Sequence, residues 1–191
     1  VKTITCIDGG AIVVKGENAV MRLHAKRLIG MTQPAAQMYT NTRAWTYDIE
    51  ELGFRYHMSN LHAAVGVSQI KKIEEIRKTR QEACKKYFDE LSKLAWIAAP
   101  KGDFDAVNPF LYYIRVLNGK RAELQAHMKG KGIDTGIHWQ AGHSFSLFNG
   151  CRKGTLEVTE RIVEQIVSLP LHSKMCNEDI ERVIESVRSF N

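Results

Sequence analysis

The spacing of apolar residues changes twice along the chain. After Gly9-Gly10, the run Ala11-Ile12-Val13-Val14 is short, apolar and partly β-branched, which predicts a buried strand. From 17 to 29, Ala19, Val20, Leu23, Ala25 and Leu28 recur near helical spacing, and Gly30 is a natural C-terminal stop. Residues 31–50 are rich in Thr, Gln, Asn and Tyr and include Pro34; they predict an irregular connection of a length that often carries function. Ser59 is placed to cap a helix over 60–93, in which Ile70, Ile73, Ile76, Ala83, Tyr87, Leu91 and Leu94 repeat every three or four residues. At 1.5 Å per residue that helix reaches roughly 50 Å, more than one small core needs, and it reads as a spine joining two units, with room for a kink. Past Pro100 and Gly102 the elements shorten: a strand over 111–117, a helix over 121–131 ending at Gly132, a strand over 133–139, and helices over 156–167 and 178–190 with Pro170 between them. There is no internal repeat. The expected architecture is part of an α/β unit, a long helix, and a smaller α+β domain from about residue 95.

Composition narrows the class. With 191 residues, 44% hydrophobic and 25% charged, the chain is long enough to bury a core and is not of disordered composition. It has no apolar run of membrane-spanning length and no leader-like start, so no membrane partner and a cytoplasmic location are expected. The four cysteines, Cys6, Cys84, Cys151 and Cys176, lie far apart without metal-ligand spacing; reduced structural thiols and no metal site are expected. The formal charge of +6 is interleaved with acids, as in Lys71-Lys72-Ile73-Glu74-Glu75-Ile76-Arg77-Lys78. That pattern is a solvated helix face and argues against a nucleic-acid partner, whereas a basic pocket for a phosphate-bearing small molecule suits the same surplus.

Three stretches carry candidate chemistry. Lys2 begins Lys2-Thr3-Ile4-Thr5-Cys6-Ile7-Asp8-Gly9-Gly10; alone it is an exposed lysine as readily as a nucleophilic amine. The second is Gly53-Phe54-Arg55-Tyr56-His57-Met58-Ser59, leading into Asn60-Leu61-His62-Ala63-Ala64-Val65-Gly66, with Gln69 beyond. The third is Gly132-Ile133-Asp134-Thr135-Gly136-Ile137-His138-Trp139, with His143 downstream. Together these resemble the DegT/DnrJ/EryC1/StrS family of pyridoxal-phosphate-dependent sugar aminotransferases, over nearly the whole chain. In relatives a Thr and a Gly are common where Cys6 and Ile7 stand, a Glu where Asp8 stands, and a His where Phe110 stands. A β-branched residue at position 7 tolerates positive φ poorly.

The resemblance implies the C-terminal half of a fold-type I transferase: residues 1–58 as the remainder of the large cofactor domain, 59–94 as the long connecting helix, and 95–191 as the small α+β domain. It implies that Lys2 forms the Schiff base with pyridoxal 5'-phosphate. Arg55 and His57 would reach across a homodimer to the partner's cofactor phosphate, a role that suits a guanidinium. His138, Trp139 and His143 would line the sugar side. The implied reaction moves an amino group from an amino acid, glutamate being expected, to a nucleotide-linked keto-sugar, as in polysaccharide or lipopolysaccharide synthesis. Relatives that dehydrate sugars lack the lysine, so Lys2 argues against that branch. An upstream half would have to supply the phosphate loop, the carboxylate facing the pyridine nitrogen and the ring-stacking group. The start at Val1, directly in a motif, is how a fragment would begin, and residues 1–191 alone are expected to be inactive. The reading outside enzymes is a non-catalytic interaction or regulatory module derived from the same fold.

Overall fold

The computed structural model describes residues 2–31 and 47–190. The irregular connection expected over 31–50 therefore falls mostly outside the described residues. The chain divides into two compact units, one of residues 4–71 and one of residues 72–190 with Lys2 and Thr3.

In the first unit, α1 (Glu17–Arg27) ends two residues before the predicted point. The N–H groups of Leu28 and Gly30 both donate to the Ala25 carbonyl and close the last turn. The run from Gly53 to Tyr56 lies along that end: the Phe54 and Tyr56 N–H groups donate to the carbonyls of Lys26 (2.6 Å) and Arg27 (2.8 Å), and Ile29 N–H donates to Phe54 (2.9 Å). The backbones come so close that a Cβ on Gly53 would lie 2.1 Å from the Gly30 nitrogen, and one on Gly30 would lie 2.0 Å from the Glu51 carbonyl oxygen. Only glycine fits at either position. Arg22 and Lys26 reach the Glu51 carboxylate at 3.1 and 3.3 Å, and the Arg22 hydrogen bond holds that carboxyl below its ordinary range. As expected, Ser59 caps the next helix, α2 (Asn60–Ile70), its hydroxyl accepting from the His62 N–H at 3.3 Å.

The strand predicted over 11–14 is not formed; Val13 is 95% exposed and no described residue pairs with the run. Apolar and β-branched composition favours a strand only where another edge supplies hydrogen bonds. Ile7 adopts φ 73°, the left-handed conformation that a glycine there would take without cost. Neither α1 nor α2 buries a residue. Leu61, Val67 and Ile70 of α2 are all more than half exposed, although an apolar helix of this kind is ordinarily interior.

The second unit holds the core. The helix predicted over 60–93 is two helices, because Lys72 leaves helical geometry (φ −104°, ψ 4°) before α3 (Ile73–Leu91) begins. The apolar spacing runs through the break and so did not reveal it. Ile76, Ala83, Cys84, Tyr87 and Leu91 form the buried stripe of α3. From Ala83 to Leu91 the stripe packs against a three-stranded antiparallel sheet of β1 (Ile97–Ala98), β2 (Tyr112–Val116) and β3 (Ile166–Leu169), in that order. The register sets Val116 opposite Ile97, Tyr112 opposite Leu169 and Ile114 opposite Val167. Tyr112, Ile114 and Val116 alternate onto the core face, as a period of two requires. Helix α4 (Arg121–Gly130) adds Leu124 and Met128 to that core. Helix α5 (Glu157–Gln165) buries nothing fully and stops before β3, whose first two residues fall within the helix expected over 156–167. Pairing with β2 outweighs the helical spacing of Val163, Ile166 and Val167. Helix α6 (Asn177–Arg188) completes the core through Ile180, Val183, Ile184 and Val187. The predicted strand over 133–139 is reduced to one bridge, Gly136 with Ser168.

Two polar residues share the buried face of α3. Arg80, 5% exposed, donates through Nη1 to the carbonyls of Pro109 (3.2 Å) and Phe110 (3.1 Å). Gln81, also buried, donates to the carbonyls of Asp105 (3.1 Å) and Val107 (2.8 Å). Together they clamp the loop that enters β2. No described helix is long and apolar enough to cross a membrane, no described residues group as a metal site, and all four cysteines are free.

Two outcomes follow from this core. Arg80→Ala strands two carbonyls and leaves a void, so it is expected to lower stability by about 2–4 kcal/mol, read by urea unfolding followed at Trp96; a loss under about 1 kcal/mol would show that the clamp is dispensable. Burial pushes the Cys84 thiol from 9.0 up to about 12. A raised folded value contributes stability that is whole below 9.0 and is lost as pH climbs toward about 12. Cys84→Ala should therefore flatten the alkaline limb of a stability profile over that window, and a limb of unchanged slope would contradict the assignment.

Candidate functional site

Alternation along β3 sends Val167 and Leu169 to the core and turns Ser168 to the opposite face of the sheet. There the Ser168 backbone exchanges two hydrogen bonds with Gly136, at 3.0 and 2.7 Å, fixing the extended run that carries His138 and Trp139. The Ser168 hydroxyl and His138 Nδ1 share a hydrogen bond of 2.9 Å, which orients the half-buried imidazole. Its ring folds back over Gly136, where a Cβ would lie 2.7 Å from His138 Cε1. The glycine of the Thr-Gly-Ile-His run is thus required by the histidine beside it.

The His138–Trp139 peptide bond is cis, and the two rings meet edge to face at 5.4 Å. Trp139 is 60% exposed, and its indole sits 6.3 Å from the Phe110 ring. Phe110 in turn lies under Lys2, whose Nζ is 4.7 Å from the ring centroid. That is within the distance at which a ring face attracts an ammonium. Lys2, Trp139 and His138 are therefore brought together, with Phe110 as the link. Apolar and aromatic on one side and carrying an amine and an imidazole, the arrangement can hold a flat or sugar-like ligand against an amine.

His143 belongs to a neighbouring feature. The short turns Gly142–Ser144 and Ser146–Phe148 carry it to a cleft of about 580 Å³ lined by Arg121, Ile137, Gln140, Ser144 and Glu160. Its Nε2 stands 3.4 Å from the Glu160 carboxylate. Ile137, next to His138 in sequence, lines the same cleft.

Arg55 and His57 belong to the unit of residues 4–71. Arg55 pairs through its backbone with Leu28, and both side chains are exposed. Neither makes an ion pair among the described residues, so the Arg55 guanidinium has its donors free for an anion. Phe54 and Tyr56, on either side of Arg55, stack at 5.1 Å with planes 7° apart.

Sequence reasoning missed Arg80 and Gln81, and it assigned the family-like run from Ser168 to His172 to folding and packing. Arg80 had a signal: it lies four residues after Ile76 and four before Cys84, inside the apolar stripe, where an arginine without an acid on its own helix face marks a buried polar contact. The hold of Ser168 on His138 could not be read from that run, because it comes from the pairing of β2 with β3.

An uncharacterized protein of Methanocaldococcus jannaschii is 29% identical over 99% of this chain and 51% of its own length. The crystal structure of AtS13 from Actinomadura melliaura matches with a TM-score of 0.83 at 24% identity, over 98% of this chain and 48% of that one. The sugar aminotransferase CalS13 from Micromonospora echinospora matches with a TM-score of 0.73 at 21% identity, over 87% of this chain and 43% of that one. At these identities the structural likeness shows the fold, that of pyridoxal-phosphate-dependent aminotransferases. The chain spans about half the length of the relatives it matches. Since the model of the DegT/DnrJ/EryC1/StrS aminotransferase family, whose members use pyridoxal 5'-phosphate, matches residues 1–188, the chain belongs to that family.

Proposed function

We propose that this chain is the C-terminal part of an aminotransferase that moves an amino group from glutamate to a nucleotide-linked keto-sugar, with Lys2 as the cofactor-bearing amine. The observation that carries this reading is the run of contacts from Lys2 Nζ to the Phe110 ring, from Phe110 to Trp139 and from Trp139 to His138. Lys2 offers an accessible amine to an aldehyde, and once neutral that amine is the nucleophile. Pyridoxal 5'-phosphate, when bound, supplies the electron sink. Lys2 Nζ takes the proton from the donor's α-carbon and delivers one on the way to the aminated sugar. Trp139 offers a face for the C–H side of a sugar ring, and His138, oriented by Ser168, donates to a hydroxyl or diphosphate oxygen. His143 extends that polar lining toward the cleft with Arg121.

Arg55 and His57 fit the cofactor phosphate of a second copy, which makes a homodimer part of the reading. The uncovered apolar helix α2 supports an upstream half and a partner that together bury it. In this account residues 1–58 complete a large cofactor domain, 59–94 connect, and 95–191 form the small domain. The exposed apolar surface also suits a non-catalytic interaction module, which the following experiment separates from the enzyme.

Borohydride reduction with added pyridoxal phosphate, followed by peptide mass spectrometry, is expected to place a single pyridoxyl adduct on Lys2 when the upstream half is present. Lys2→Ala in the same full-length protein should lose the adduct and transaminase turnover. Scattered adducts, or turnover retained in Lys2→Ala, would remove Lys2 from the chemistry and leave the interaction module as the better reading.

A further inference from the structure

Phe110 stands where a polar contact to the site was to be expected, and its backbone is held from the core. The carbonyls of Pro109 and Phe110 both accept from the buried Arg80 guanidinium, and the loop leading to them is tied at Asp105 and Val107 by Gln81. The ring is thus a fixed platform whose place is set by α3. Lys2 has no ion pair or hydrogen bond among the described residues; its Nζ rests 4.7 Å from the centroid of this ring. Trp139 flanks the ring at 6.3 Å, tilted by 32°.

We propose that Phe110 is a positioning residue for Lys2, its ring face holding the charged amine on the side flanked by Trp139. The physical basis is the ring quadrupole. Its negative face attracts an ammonium but has no lone pair for a neutral amine. A histidine at 110 would hydrogen-bond either form and hold both. The ring therefore holds the resting ammonium in place and offers the neutral amine no hydrogen bond. This inference rests on the assignment of Lys2 as the cofactor amine.

The test is trace acylation of the unloaded protein with an uncharged acetylating reagent, with the rate at each lysine read by peptide mass spectrometry. Loss of the ring face in Phe110→Leu is expected to speed acetylation of Lys2 about two- to fivefold, the ratio matching an exposed contact of this kind. Other lysines should be unchanged, and Phe110→Tyr, which keeps the face, should restore the wild-type rate. Independently of any variant, the Lys2 ε-methylene protons of the wild-type chain should resonate upfield of free lysine, shifted by the ring above which they lie. An unchanged Lys2 rate in Phe110→Leu, or ε-methylene protons at the free-lysine position, would overturn the proposal. Pyridoxyl trapping at another lysine would overturn the assignment of Lys2 and the positioning role with it, even with the acetylation ratio intact.

Discussion

The buried guanidinium of Arg80 is the contact on which the candidate site depends. A charge taken out of water is costly unless hydrogen-bonded, and here Nη1 donates to two backbone carbonyls while the buried Nε has no partner and no carboxylate pairs with the group among the described residues. Carbonyls belong to the loop itself, so the interaction fixes main-chain position directly. That loop enters β2, β2 pairs with β3, and β3 turns Ser168 toward His138. From one helix face the order passes through a loop and two strands to the imidazole, and through Phe110 to the lysine. The clamp thereby links the core of this unit to its chemistry.

The two units contrast in how they are held. Residues 72–190 enclose a continuous core running through α3, the sheet, α4 and α6. Burial of each such side chain contributes about 1.5–3 kcal/mol, the ordinary basis of an independent domain. Residues 4–71 are organised instead by backbone hydrogen bonds and by the close approach of Gly30 and Gly53, with Glu51 tied to Arg22 and Lys26. Within this unit Met31 is the one buried hydrophobic side chain among the described residues, while Leu52, Leu61 and Tyr56 face outward. Hydrogen bonds of that kind define a local shape but contribute little net stability in water.

Family membership and fold are carried by the match over residues 1–188, while the roles of individual residues rest on geometry. That geometry divides the expected substrate residues. His138 and Trp139 join Lys2 through Phe110, and His143 turns to Glu160 in an adjoining cleft. Replacing the usual histidine by Phe110 does not leave a gap in the site. It exchanges a directional hydrogen bond for a ring face, whose attraction depends on the charge of the amine above it.

By itself the sequence determined what depends on neighbours along the chain. The Ser59 cap, the stop near Gly30 and the stripe of α3 were legible because spacing and local hydrogen bonding set them, whereas the motifs around Lys2, Arg55 and His138 were legible as a resemblance to a family. Tertiary structure decided what depends on partners distant in sequence. The run 11–14 lacks a described edge and forms no strand, whereas 166–169, at helical spacing, becomes one because β2 lies beside it. The break at Lys72, the clamp from Arg80 and the platform of Phe110 beneath Lys2 likewise arise from packing. Periodicity records which face of an element is apolar; which strand, carbonyl or ring meets that face is fixed only when the chain closes on itself.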